Sequence, residues 1–145
     1  MAALKALLSG RPDEHERLID EIERVEGPDA GGRHSVLIAA GMFEAAEKRF
    51  IRNGRYASKE EIIAYVASVR SRSEAAANDL DAMLAERVLL AALDQGEIDD
   101  IDDEAVVMTQ LLLMAALVGD EEYSEEELDG FLALVRRTAD EWLEP

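Results

Sequence analysis

Cysteine is absent from the 145 residues, which removes disulfides, thiolate metal sites and thiol nucleophiles together. Prolines number three (Pro12, Pro28 and Pro145), and long stretches run without glycine. With few breaks and an abundance of Ala, Leu and Glu, the chain is predicted to be all-α. Long hydrophobic runs are missing as well. The longest apolar segment, residues 105–118, is interrupted by Thr109 and Gln110, whereas crossing a bilayer takes about 20 residues. The first ten residues hold one positive charge and too short an apolar run for a signal peptide. A bacterial-type cytoplasmic protein with no transmembrane segment is expected.

Positive charge is the most unevenly missing property. The net charge is −18, but residues 1–87 carry 13 Lys/Arg against 16 Asp/Glu. Residues 88–135 contain 14 Asp/Glu and no Lys or Arg. A halophile-type acidic surface would be spread over the whole chain, so a local cause is sought. A field of this sign repels phosphate, which argues against nucleic acid as a partner.

What is present reads as helices. The 48% apolar content and the length suit one globular domain, residues 1–145. Apolar residues at helical spacing predict six or seven helices in a bundle: 2–8, 12–26, 35–51, 58–70, 74–93, 105–118 and 124–143. Ser35 is expected to cap the third, with residues 29–32 as a loop, and Asn53-Gly54 to end it. Ser58/Glu61 and Ser124/Glu127 are capping boxes. Gly96 and Gly119 are expected to close the fifth and sixth helices, and Asp102 or Asp103 to cap the sixth. Apolar faces are assigned to Val36, Leu37, Ala40, Phe43, Ala46, Phe50 and Ile51 in the third helix and to Ile62, Tyr65, Val66 and Val69 in the fourth. In the fifth they fall on Leu80, Met83, Leu84, Val88 and Leu90, and in the last on Leu128, Phe131, Leu132, Val135, Ala139 and Trp142.

Residues 58–70 and 124–136 align without gaps, identical at six of thirteen positions. Each follows an apolar helix, with a tyrosine (Tyr56, Tyr123) shortly before the cap. Similar capping boxes explain the Ser and Glu matches alone; the shared aromatic and valine positions add an internal repeat, residues 36–70 and 105–136, as the alternative.

No pattern for a catalytic centre is found. The Gly-x-Ser-x-Gly, phosphate-binding glycine loop and His-Glu-x-x-His patterns do not occur. A carboxylate-bridged di-iron bundle needs Glu three residues before each histidine, but Pro12 precedes His15 and Gly31 precedes His34. A non-enzymatic protein is expected. The acidic half divides into two clusters, residues 94–104 and 120–129. They flank a helix about 21 Å long at 1.5 Å per residue, so two anionic patches are predicted. Acids at helix N-termini stabilise the macrodipole, which accounts for Asp102–Glu104 and Glu125–Glu127. Asp120, Glu121 and Glu122 lie at the opposite, negative end of a helix and are not so explained. No calcium-loop spacing is matched, so no cofactor is expected, with Ca²⁺ or Mg²⁺ held by clustered carboxylates as the exception.

Residues 106–135 (VVMTQLLLMAALVGDEEYSEEELDGFLALV) resemble the repeat of the tellurite-resistance TerB-like family: apolar helix, acidic loop, Ser-x-Glu-Glu, amphipathic helix. The resemblance implies an acidic all-helical domain, metal-associated and working in stress or membrane-linked complexes. It offers Asp120 and Glu126 as candidate metal positions. The chain departs from the family pattern in its loops, with Asn53-Gly54 and Gly119-Asp120 where that family carries Asp-Gly.

The function expected from the charge map is binding of a protein with a basic surface, steered by electrostatics. The candidate contact residues are Asp99, Asp100, Asp102, Asp103, Asp120, Glu121, Glu122 and Glu125. A divalent-cation-binding stress protein and a DNA-mimicking inhibitor are the alternatives. Lys48, Arg49, Arg52, Arg55 and Lys59 form a basic patch, whose attraction to another copy's acidic half offers a route to a homo-oligomer.

Overall fold

The computed structural model of the protein describes residues 28–144, with side chains from residue 35 onward. The helices expected at 2–8 and 12–26 lie outside the described residues. Those described hold six helices and one two-residue β-hairpin, an all-α architecture. In order they are α1 (Pro28–Phe50), β1 (Ile51–Arg52), β2 (Arg55–Tyr56), α2 (Lys59–Arg70), α3 (Glu74–Asp79), α4 (Ala82–Ala92), α5 (Asp103–Glu121) and α6 (Glu125–Leu143). None of these helices is long and apolar enough to cross a membrane.

The chain divides into two compact units. One is Met42–Leu117. The other joins the segment up to Gly41 with the segment from Val118 onward.

In the first unit, α2 packs on both α3 and α4. Its buried side chains are Ile62, Tyr65, Val66 and Val69, the face that the i, i+3, i+4, i+7 spacing requires. The Tyr65 ring meets Phe50 edge-on, centroids 5.4 Å apart, and the Arg49 guanidinium lies over Tyr65 at 5.5 Å. Met42, Leu80, Val88, Leu89, Leu113 and Met114 fill the rest of this unit's interior. Thr109, buried among them, satisfies its hydroxyl by donating to the Ala105 carbonyl at 2.8 Å.

In the second unit, α6 buries Leu128, Phe131, Leu132, Val135 and Ala139 as expected. Tyr123 stacks on Phe131 at 5.7 Å. Trp142, expected inside, is 48% exposed, as is its neighbour Leu143 at 52%.

Several helix boundaries differ from expectation. Helix α1 begins at Pro28, so residues 29–32 are helical and Ser35 is not its cap. Proline is well tolerated in a first turn, where its missing N–H has no intrahelical partner. The buried side of α1 runs through Ile38, Ala40, Met42, Ala45, Ala46 and Phe50; Val36, Leu37 and Phe43 are only half-buried. Helix α1 stops at Phe50 and the chain turns through an antiparallel hairpin, Ile51 opposite Tyr56 and Arg52 opposite Arg55. Asn53 and Gly54 take positive φ (54° and 74°), the conformation that a two-residue hairpin turn demands.

The helix expected over 74–93 is two helices. Leu80 is extended (φ −107°, ψ 103°), and Asp81 caps α4 by accepting from Leu84 N–H at 2.9 Å. Arg70 holds the break from α2. Its Nε donates to the Leu80 carbonyl (2.8 Å) and its Nη2 to the Ala77 carbonyl (3.0 Å), supplying partners for groups that a continuous helix would have satisfied itself. The interruption resets the helical phase. Ala85, Val88 and Leu89 go inside, while Met83 is left 72% exposed.

Candidate functional site

The acidic residues are placed by helix ends. Helix α4 closes with Gln95 N–H donating to the Leu90 carbonyl (2.8 Å) and Asp94 N–H to the Ala91 carbonyl (3.1 Å), a Schellman closure with Asp94 in the left-handed position at φ 58°. Gly96 does not close it. A Cβ on Gly96 would stand 3.3 Å from Leu90 Cβ, so this glycine serves a close approach to the helix. Helix α5 likewise runs past Gly119 to Glu121. Glu122 takes the left-handed conformation at φ 52°, and its N–H donates to the Gly119 carbonyl at 3.2 Å. At both stops an acid occupies the conformation glycine adopts at least cost.

The first cluster is partly committed to structure. Asp100 receives Arg87 through two hydrogen bonds, Nη2 to Oδ1 at 2.6 Å and Nη1 to Oδ2 at 3.2 Å. Arg87 Nη2 also donates to the Glu97 carbonyl at 2.9 Å, tying the segment after α4 back onto the helix. These hydrogen bonds hold the Asp100 carboxyl below the ordinary Asp value. An arginine at the very edge of the acidic stretch therefore takes up one of the expected contact carboxylates. Asp102, not Asp103, caps α5, its Oδ2 accepting from Ala105 N–H at 3.2 Å. Asp99 and Asp103 are exposed, and Asp103 lies in the first turn of α5, where the macrodipole favours an anion.

The second cluster straddles two helix ends of opposite polarity. Asp120 and Glu121 lie in the last turn of α5, which contains no basic residue. Glu125 and Glu126 lie in the first turn of α6. Between them the capping box closes as expected: Ser124 Oγ accepts from Glu127 N–H (3.1 Å), and Glu127 Oε1 accepts from Ser124 N–H (3.0 Å). Asp120, Glu121, Glu122, Glu125 and Glu126 are all exposed. Each cluster is thus an exposed anionic surface within its own unit. The candidate metal positions Asp120 and Glu126 are not joined by further ligands: among the described residues no three carboxylate or imidazole groups come together as a cation site.

Sequence reasoning missed Arg87 as the partner of Asp100 and Arg70 as the donor at the α3–α4 break. Arg70 reaches seven and ten residues along the chain and Arg87 thirteen, beyond the three or four at which helical spacing sets neighbours.

Comparison with protein-family models, with curated proteins and with solved structures finds no match to this chain.

Proposed function

We propose that the protein is a non-enzymatic helical interaction domain whose anionic half, residues 94–129, takes a protein partner with a basic surface. One observation carries the proposal. Asp94, Asp120, Glu121 and Glu122 stand at helix carboxyl ends, where each acid opposes the macrodipole by about 0.3–1 kcal/mol. Two of them, Asp94 and Glu122, also occupy left-handed backbone. Glycine at either left-handed position would stabilise its helix end. Residues that weaken a fold where better ones are available mark places at which another requirement sets the identity.

The requirement that fits is a negative surface for a cationic protein. Exposed carboxylates at Asp99, Asp103, Asp120, Glu121, Glu122 and Glu125 would speed encounter and fix register, while half-buried apolar neighbours settle the final pose. Asp100 and Asp102 support the shape of the first patch through Arg87 and the α5 cap.

A pull-down from native lysate tests the proposal, using the wild-type chain beside a variant with Asp99, Asp103, Asp120, Glu121, Glu122 and Glu125 changed to their amides. The expected result is a basic protein retained by wild type at low salt, released at high salt and not retained by the variant. A complex indifferent to salt, or equally well held by the amidated chain, would overturn it.

A further inference from the structure

Outside the acidic half, one element concentrates the opposite charge. Residues 48–59 carry Lys48, Arg49, Arg52, Arg55 and Lys59 and no acid. Within that stretch the β-hairpin sets Arg52 directly opposite Arg55. Directly opposed residues project to the same face of a two-stranded ribbon with Cα atoms about 5.5 Å apart when hydrogen-bonded, and like charges so placed destabilise it. The partner pair, Ile51 with Tyr56, belongs to the other face, and Ile51 is half-buried; the arginines accordingly face solvent, both exposed. In a chain with 33 acids, neither Arg52 nor Arg55 has an acidic partner among the described residues. The hairpin is nevertheless firmly seated. Ala57 N–H donates to the Phe50 carbonyl at 2.7 Å, and Phe50 packs edge-on against Tyr65. A rigid mount presenting two repelling guanidinium groups is suited to a pair of carboxylates.

We propose that this hairpin docks on the acidic face of a second copy of the chain, Arg52 and Arg55 engaging Glu126 and Asp129 on α6. The proposal rests on the reading of the acidic half as a binding surface and names its partner. Spacing and charge both point to it. Glu126 and Asp129 are three residues apart on one helix, neighbours at about 5–6 Å, which matches the separation across the hairpin. The chain holds a wholly basic segment and, in residues 88–135, a 48-residue segment with no base. Nucleic acid fits this hairpin poorly, because the net charge of −18 repels a long polyphosphate over its whole length. Two copies also repel as wholes, so the association carries a distinctive salt dependence. At about 0.01 M salt the Debye length is near 30 Å and whole-molecule repulsion holds copies apart. At about 0.15 M it is near 8 Å, so that repulsion is damped while contact pairs persist; at about 1 M, near 3 Å, the pairs weaken as well.

Sedimentation velocity of the full chain at high micromolar concentration and these three salt levels tests the proposal. Self-association is expected to be strongest at the middle salt level. R52E/R55E and R52Q/R55Q are both expected to weaken it by roughly tenfold or more. The glutamine variant removes the cross-strand repulsion and leaves Asn53-Gly54 intact, so its loss of association cannot be assigned to a damaged hairpin. Mixing R52E/R55E with E126K/D129K, each with wild-type circular dichroism, should restore a heterologous complex that neither forms alone. A monomer at every salt level, association unchanged in R52Q/R55Q, or no rescue in the mixture each overturns the proposal. A monomer that still retains a basic lysate protein in a salt-sensitive way would leave the acidic half as a binding surface and remove only the second copy as its occupant.

Discussion

At the carboxyl ends of α1 and α2 stand Lys48, Arg49 and Arg70; at those of α4 and α5 stand Asp94, Asp120, Glu121 and Glu122. The same physical position is therefore filled by opposite charges in the two halves of the chain. Helix carboxyl ends carry about half a negative charge in unpaired carbonyls, so the earlier arrangement stabilises and the later one does not. In the earlier half the helix ends are also interlocked. Arg70 terminates α2 and, through its guanidinium, holds the last carbonyls of α3. Arg49 at the end of α1 covers Tyr65 of α2. At the later ends Asp94 and Glu122 are exposed acids in left-handed backbone. The contrast separates helix ends whose charge favours the macrodipole from helix ends whose charge opposes it.

The largest effect should come from breaking the earlier arrangement at Arg70. Replacement by methionine keeps much of the stem's packing but removes both hydrogen bonds to Leu80 and Ala77, leaving part-buried carbonyls unpaired. Hydrogen bonds from a charged donor contribute about 1.5–3 kcal/mol, so R70M is expected to lower stability by roughly 2–3 kcal/mol in urea unfolding. R70K should recover only part of this, because an ammonium cannot reproduce the fork that spans two carbonyls. A loss below about 0.5 kcal/mol, the scale of an ordinary surface substitution, would mean that the α3–α4 break is held by Leu80 burial and the Asp81 cap alone.

Arg70 also shows how far the fold could be read from the chain. Features set within one turn were legible. Both capping boxes closed as their Ser-x-x-Glu spacing required, and Ile62, Tyr65, Val66 and Val69, like Leu128, Phe131, Leu132 and Val135, are buried where periodicity put them. Features settled by longer reach were not. Nothing local marks Leu80 as extended; its carbonyl has a partner ten residues upstream. Once the helix breaks there, the phase of α4 shifts, and Met83 goes out while Ala85 goes in. Glycines misled in a different way. Gly96 and Gly119 look like helix stops, yet the left-handed positions fall on Asp94 and Glu122, because hydrogen-bond closure at Leu90 and Gly119 decides where each helix ends. The acidic site was legible as composition, but its conflict with the helix ends was not, because that depends on where those ends fall.

Reversing the later arrangement should raise stability, by less. Glu122→Gly relieves a left-handed non-glycine residue and removes an acid beside the end of α5. After the extra freedom that glycine gives the unfolded chain, a net gain of roughly 0.5–1 kcal/mol is expected. Glu122→Lys, which keeps the left-handed backbone and only reverses the charge, should add about 0.3–1 kcal/mol at low salt, fading as salt is raised. Asp94→Gly should gain less than Glu122→Gly, because aspartate visits left-handed backbone more readily. Chemical denaturation at two salt levels checks all three. If both glycine variants prove destabilising, the acids at these ends support the fold after all, and the main support for a partner-binding role of Asp94 and Glu122 is lost.

The smallest effect lies at the boundary between the halves, where Arg87 meets Asp100. Both side chains are exposed, 38% and 72%, so Asp100→Asn should be only mildly destabilising at neutral pH, and its pH dependence is the sharper measurement. Hydrogen bonds from Arg87 depress the folded-state pKa of Asp100 below its ordinary 3.8. An acid with a depressed folded pKa stabilises the native state above its unfolded pKa and loses that contribution as pH falls through the folded value. The gap between wild type and Asp100→Asn should therefore stay constant from neutrality down to about pH 4, shrink below it and close in stronger acid. Arg87→Met should follow the same curve if the two residues act as one unit. An Arg87→Met gap that persists in strong acid, where the Asp100→Asn gap has closed, would show instead that the Arg87 hydrogen bond to the Glu97 carbonyl also holds the segment that leads from α4 into the acidic half.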